Sequence, residues 1–398
     1  MATDADPAST ATDVRTAPRL PVISADSHID IGWLPADTFT SRVPAALRER
    51  APQVVDGPGG PQWVADGRLL SGVASVGSKG RPYSPGRWQR ADRMADTGLY
   101  DDGLYRPANP DQRWRDQDRD GIEAEVLYGL FGVSVEIDDP VLAAAISIAF
   151  NDWLAEFCAA HPNRYIGLAC LPNDDADAAA KEVVRASSLG LPGAVIDVKN
   201  GFRPLWHGDW DPLWATAHDL DFPISFHTSH RRADSSRGGV SSMAAPAGEA
   251  VIESAVTMSL LQFQGAADYF SIILGGALDR FPRLRIVLGE SGVGWIPALL
   301  ERMEWEYDNE FRGLGLELKP SEYWHRQMYA TFQRDSVGMH LLQFLGEEHV
   351  MFASDYPHPD GTWPDSLAFI DEMTGHLPEP TRRKILHDNA AAVYRIGQ

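Results

Sequence analysis

The sequence predicts a closed (β/α)8 TIM barrel with long insertions after its first and fifth strands, and three observations predict it. From Pro21 onward, short apolar runs rich in Val, Ile and Leu alternate with longer stretches of helical period. The strand-like runs number eight. Metal-ligand and acid/base side chains stand at the carboxyl ends of several of them, the rim where such barrels place their chemistry.

Taken in order, the expected strands are 22–27, 124–128, 165–170, 193–198, 223–228, 284–289, 327–332 and 349–354. Helical period fills 140–160, 175–189, 212–219, 250–280, 295–309 and 336–345, and a closing pair follows at 366–374 and 379–394. His161, ahead of Pro162, suits the end of the first of these helices, where an imidazole meets the dipole favourably. The acidic and basic run Asp111-Gln112-Arg113-Trp114-Arg115-Asp116 reads as a solvated helix face.

Two insertions interrupt the alternation. The first, about 33–118, is dense in Gly, Pro, Arg and Trp and contains a hairpin signal, Gln62-Trp63-Val64-Ala65-Asp66-Gly67-Arg68, with an Asp-Gly turn. The second, 230–248, is rich in Ser, Ala and Gly. Both follow the carboxyl end of a strand, so they read as lid and specificity elements, with a surface extension or dimer contact as the alternative. Residues 1–20 lack the charged start and apolar stretch of an export signal and read as a disordered leader before a single barrel domain, 21–398.

Composition removes several function classes. Of 398 residues 44% are apolar, enough for a large core. Against 56 acidic residues stand 35 basic ones, and the net charge of −21 opposes binding to nucleic-acid phosphates or anionic membranes. A small molecule is the expected partner. The longest apolar runs, such as 141–150, fall short of the ~20 residues that span a bilayer, so no membrane segment is expected. Cys158 and Cys170 are too few for a disulfide framework or a thiolate zinc cluster, which fits a reducing cytoplasm. The apolar stretch 258–270 reads either as a homodimer face or as a buried barrel helix. A phosphate-binding glycine loop, a nucleophile-elbow serine and a solenoid repeat are all missing from the sequence.

The candidate chemistry sits at strand ends: Asp26 and His28 on the first, His227 on the fifth, Glu290 after the sixth and Asp355 after the eighth. Asp26 and His28 are two apart, which on a strand points both side chains to one face and Ser27 to the other. Singly, each has a plain structural reading as a turn residue, a cap or a satisfied core histidine. Together, two nitrogens and two carboxylates form a mixed site suited to one divalent ion, Zn²⁺ first and Mn²⁺ or Fe²⁺ as alternatives.

The segments Ile23-Ser24-Ala25-Asp26-Ser27-His28, Phe226-His227, Phe281-Pro282-Arg283-Leu284-Arg285-Ile286 and Phe352-Ala353-Ser354-Asp355-Tyr356-Pro357-His358 resemble the amidohydrolase-2 family. This is the branch of the metal-dependent amidohydrolases that includes aminocarboxymuconate-semialdehyde decarboxylase and resorcylate-type decarboxylases. The resemblance implies a TIM barrel, a single divalent ion on Asp26, His28, His227 and Asp355, and action on small organic acids or related rings. Two departures stand out. Many relatives open with His-x-His or Glu-x-His where this chain has Asp26-x-His28, and many end the sixth strand in a His where this chain has Glu290.

Two reactions follow from such a site. In hydrolysis, the leading expectation, a metal-bound water attacks with Asp355 as base and Glu290 supplies a proton to the leaving group. In non-oxidative decarboxylation of an aromatic or unsaturated acid, Asp355 protonates the carbon that loses carbon dioxide, and an arginine must receive the carboxylate: Arg81, Arg87, Arg90, Arg231 or Arg334. A barrel that only binds a partner, through Trp33, Trp63, Trp88 and Trp114, is the third reading. His230, Arg334, His358 and Trp363 are the expected substrate contacts at the rim.

Overall fold

The computed structural model describes residues 20–57, 60–73, 83–86, 89–101, 106–130, 136–197, 203–227 and 249–397. The expected leader and the second insertion lie almost wholly outside these residues.

The first strand, β1 (Ile23–Ile29), leads into an antiparallel unit of β2 (Gln53–Gly57), β3 (Gly60–Ala65) and β4 (Arg68–Gly72). Asp66 and Gly67 turn β3 into β4 with φ of 50° and 75°, the left-handed pair that an Asp-Gly hairpin turn requires. Two helices of the insertion follow, α1 (Gln89–Ala95) and α2 (Pro110–Asp120). The remaining barrel strands are β5 (Ala124–Gly129), β6 (Tyr165–Cys170), β7 (Gly193–Val195), β8 (Ile224–His227), β9 (Ile286–Gly289), β10 (Met328–Phe332) and β11 (Val350–Phe352). Eight parallel strands pair in the order β1-β5-β6-β7-β8-β9-β10-β11, the TIM-barrel order. Closure comes from the segment after β11: the His28 N–H donates to the Tyr356 carbonyl at 2.7 Å and the Asp355 N–H to the Asp26 carbonyl at 3.0 Å. That seam brings together residues far apart in the chain.

Strands such as β9 (Ile-Val-Leu-Gly) are buried along their whole length, as expected where helices cover the outer face and side chains fill the inner one. The outer layer includes α3 (Pro140–Ala160), started by Asp139, whose carboxylate accepts the N–H groups of Val141 and Leu142, and closed by His161 at its C-cap. By length and composition α3 alone among the described helices could cross a membrane, which corrects the reading of 141–150 as too short; here Leu142, Ile146, Phe150, Leu154 and Phe157 bury it in the protein.

Several expected helices differ. The span 250–280 is broken into Glu249–Ser259, Leu261–Phe263, Ala266–Leu274 and Ala277–Arg280. Gly265 and the Gly275-Gly276 pair stand at two of the breaks, and Gly276 takes φ +69°. Leu341 divides 336–345, and 379–394 carries a π-helical turn at Lys384–Asp388. The run 111–116 is solvated only in part: Asp111 and Arg115 are exposed, but Arg113 and Asp116 are buried, because α2 packs that side against the barrel mouth.

Candidate metal centre

Four of the expected site residues converge at the barrel mouth. Asp26 Oδ1 lies 3.3 Å from His28 Nε2, and Asp26 Oδ2 lies 3.5 Å from His227 Nε2. Asp355 Oδ1 lies 2.8 Å from His28 Nε2. The His28 and His227 rings stand edge to face with centroids 5.0 Å apart. Ser27 points away from them, its hydroxyl 3.0 Å from Ser24 Oγ and 3.3 Å from Ser354 Oγ. Donor atoms of Asp26, His28 and His227 fall within 4.8 Å of one another, as do those of Glu290, Asp355 and Asp360.

The backbone is shaped to permit this. Gly289 ends β9 where a Cβ would lie 3.0 Å from both Asp26 Oδ2 and His227 Cδ2, so a side chain there would crowd the cluster. Glu290, directly after β9, and Asp355, three residues beyond β11, take φ of 48° and 58°. Non-glycine residues pay strain in that region, and it persists where the surroundings fix a side chain's aim.

Electrostatics favour a cation. Both carboxylate oxygens of Asp26 and Oδ2 of Asp355 are buried and accept no hydrogen bond among the described residues. A buried carboxylate oxygen that accepts no hydrogen bond is disfavoured even beside an imidazole 3.3–3.5 Å away, whereas a divalent ion with two imidazoles and two carboxylates would satisfy it. The donor set therefore fits the ion.

Protonation follows the same charges. Burial opposes charging the His28 ring and, with the His358 charge, holds its pKa low. Burial also opposes charging His227, but the nearby Asp26, Glu290 and Asp355 carboxylates prevail and raise it to about 9. Burial would raise the Asp355 carboxyl, yet His358 and His28 hold it well below the usual range. Glu290 is opposite: burial and the Asp355 charge push its carboxyl well up, with its Oε2 3.3 Å from His227 Nε2.

The other expected contacts divide. His358 is in the cluster, stacked on His28 with centroids 4.1 Å apart, but its two nitrogens meet Asp355 Oδ1 at 3.1 Å and Asp30 Oδ2 at 3.0 Å, so both ring positions are engaged by the protein. Trp363 corrects the expectation of a rim contact: it is fully buried, its indole N–H donates to the Asp116 carbonyl at 3.1 Å, and it packs on Tyr356. Arg334 is exposed with its guanidinium 4.7 Å over the Phe369 ring. Arg90 is committed to Asp365 and to the Thr362 and Trp363 carbonyls. His230, Arg81, Arg87, Arg231 and Trp88 lie outside the described residues.

Sequence reasoning passed over Asp30, Asp360 and Tyr128. Asp30 was legible, since Asp26, His28 and Asp30 continue the period of two on one strand face. Tyr128, next to last in β5, has its ring centroid 5.4 Å from that of His227.

The fold and the cluster of candidate donors point to one class, an enzyme barrel of the amidohydrolase superfamily. A family model described as Amidohydrolase matches residues 103–396, and the chain belongs to that family. Among curated proteins it is similar to gamma-resorcylate decarboxylase of Rhodococcus jostii (strain RHA1), 30% identical over 315 residues that cover 72% of this chain and 88% of the relative. Among solved structures it resembles an amidohydrolase of Mycobacterium avium subsp. paratuberculosis, with TM-score 0.72, 21% identity and coverage of 95% and 100% of the two chains. It also resembles 5-carboxyvanillate decarboxylase of Novosphingobium aromaticivorans in complex with manganese and a nitrobenzoic acid, with TM-score 0.67, 20% identity and coverage of 94% and 96%.

Proposed function

We propose that this chain is a metal-dependent, non-oxidative decarboxylase of a small aromatic acid bearing a hydroxyl beside its carboxylate. The observation that carries the metal half is the set of buried oxygens on Asp26 and Asp355 that accept no hydrogen bond and face imidazoles from β1 and β8. Support for the reaction is the likeness to gamma-resorcylate decarboxylase over most of both chains, which favours carbon dioxide release over the hydrolysis expected first. We assign Asp26, His28, His227 and Asp355 as ligands of one ion. Manganese is the natural first ion to test, because a solved relative binds it.

The ion, when bound, supplies a Lewis acid for the carboxylate and its neighbouring oxygen. The chain's own residues supply the rest. Asp355, kept ionised by His28 and His358, is a poor proton donor and a good ligand. Glu290, kept protonated by burial and by Asp355, is the better donor to the ring carbon. A proton from Glu290 forms the new C–H bond, the C–C bond to the carboxylate breaks with its electron pair returning to the ring, and carbon dioxide leaves. Glu290 then regains a proton from water.

The test is an assay of carbon dioxide release from gamma-resorcylate, 5-carboxyvanillate and related hydroxybenzoates by Mn²⁺-loaded protein, beside a panel of amides and esters. Release from at least one acid, abolished by chelation, is the expected result. Hydrolysis of the amide or ester panel with no release from any acid would overturn the reading.

A further inference from the structure

The helix α2 belongs to the insertion, far in sequence from every proposed ligand, yet its buried face reaches the seam that closes the barrel. Arg113 has no exposed surface. Its Nε and Nη2 donate to the two carboxylate oxygens of Glu125 on β5 at 2.9 and 2.7 Å. Its Nη1 donates to the carbonyl of His28 at 2.9 Å and to that of Pro107 at 3.1 Å. Its guanidinium lies 4.7 Å over the ring of Tyr356, the residue after Asp355. Asp116, three residues along α2, accepts the Tyr356 hydroxyl at 2.7 Å, and the Tyr356 carbonyl in turn accepts the His28 N–H at 2.7 Å. One helix therefore holds the backbone of His28 and the side chain beside Asp355 at the same time.

A buried ion pair is a poor way to gain stability, because desolvation of both charges offsets their attraction, and an apolar pair of similar volume serves packing as well. What Arg113 provides that an apolar residue does not is direction: a planar fork with donors left over for a third group. Here the third group is the main chain of a proposed ligand.

We propose that Arg113, braced by Glu125, is a positioning residue that sets the spacing of His28 and Asp355 and thereby the affinity of the site for its ion. The inference rests on the ligand assignment above. It gives the first insertion a role in building the metal site rather than only in covering it.

The experiment is calorimetric titration of the chelator-stripped full chain with Mn²⁺ for wild type, for Arg113→Met/Glu125→Gln, in which no lone charge stays buried, and for Leu300→Ala. Leu300→Ala is a core truncation in the outer helix Ile296–Glu306, which controls for general loss of stability. We expect the double variant to bind Mn²⁺ at least about tenfold more weakly, the scale typical of groups that orient metal ligands, with Leu300→Ala like wild type. Binding by a folded double variant within about twofold of wild type overturns the proposal, as does equal weakening in Leu300→Ala. Should the double variant fail to fold, Arg113→Lys reads the same quantity, since one ammonium keeps the charge opposite Glu125 but cannot hold both carboxylate oxygens and the His28 carbonyl. Weakening of about threefold or more supports the proposal, and wild-type affinity overturns it. Wild type that binds no Mn²⁺ is a different failure, that of the ligand assignment itself.

Discussion

Glu290 and Asp355 show how position decides the use of a carboxyl group. Both follow a barrel strand and both take positive φ, but Asp355 is flanked by His28 and His358, while Glu290 sits near the negative Asp355. Glu290→Gln keeps shape and hydrogen bonding and removes the transferable proton, so it should retain the ion and slow turnover by about 10²–10⁴-fold; turnover like wild type would remove Glu290 from proton transfer. Asp120 gives a test away from the site. Burial raises its carboxyl to about 7, against hydrogen bonds from Ser366. Between its ordinary value and 7 the folded chain holds a proton that the unfolded chain has released, so this contribution is full in acid and is lost as pH rises through 7. The loss is on the order of 4 kcal/mol. Urea unfolding at pH 5 and pH 8 should show a smaller difference for Asp120→Asn than for wild type; an unchanged difference would contradict it. The convergence of Asp26, His28, His227 and Asp355 was legible because their types and strand-end places are unusual together. Trp363 misled because an aromatic near a catalytic segment reads alike whether it faces the substrate or, as here, lies in the core under Asp116.

At the scale of elements, strands were easier to read than helices. Runs such as Ile286-Val287-Leu288-Gly289 carry a signal that a buried parallel strand obeys from end to end. Helix continuity depends on single residues, and Gly265 and Gly275-Gly276 interrupt a span whose apolar period runs straight through them. The role of α2 was illegible for another reason. Its sequence is charged throughout, and only tertiary partners such as Glu125 and the His28 carbonyl distinguish a buried Arg113 from a solvated one. Gly289 offers a direct check on how β9 serves the site. In Gly289→Ala the new methyl meets Asp26 and His227 at 3.0 Å, so Mn²⁺ affinity should fall about tenfold or more, and unchanged affinity would show that the cluster tolerates the intrusion. After β10, Asp335 accepts the N–H groups of Val293, Gly294 and Gly338 at 2.6–2.7 Å. Asp335→Ala should cost about 2–4 kcal/mol in urea unfolding, from several lost charge-assisted bonds, and Asp335→Asn less.

For the whole molecule, closure of the barrel and assembly of the site are one event. The bonds from His28 to Tyr356 and from Asp355 to Asp26 join the first strand to the segment after the last, and the same residues or their neighbours carry three of the four proposed ligands. An ion at the seam binds the folded chain and not the unfolded one, so it should stabilise the fold by about 2.7 kcal/mol when its concentration is a hundredfold above Kd. Thermal unfolding of stripped protein with and without Mn²⁺ reads that gain, and no shift at saturating ion would count against it. The most direct test of the central claim is metal content: elemental analysis of Mn²⁺-reconstituted wild type beside Asp26→Asn, His28→Ala, His227→Ala and Asp355→Asn, each checked for retained fold by circular dichroism. One ion per chain is expected in wild type, with a marked loss in all four variants. Full content in two or more of the folded variants would contradict it.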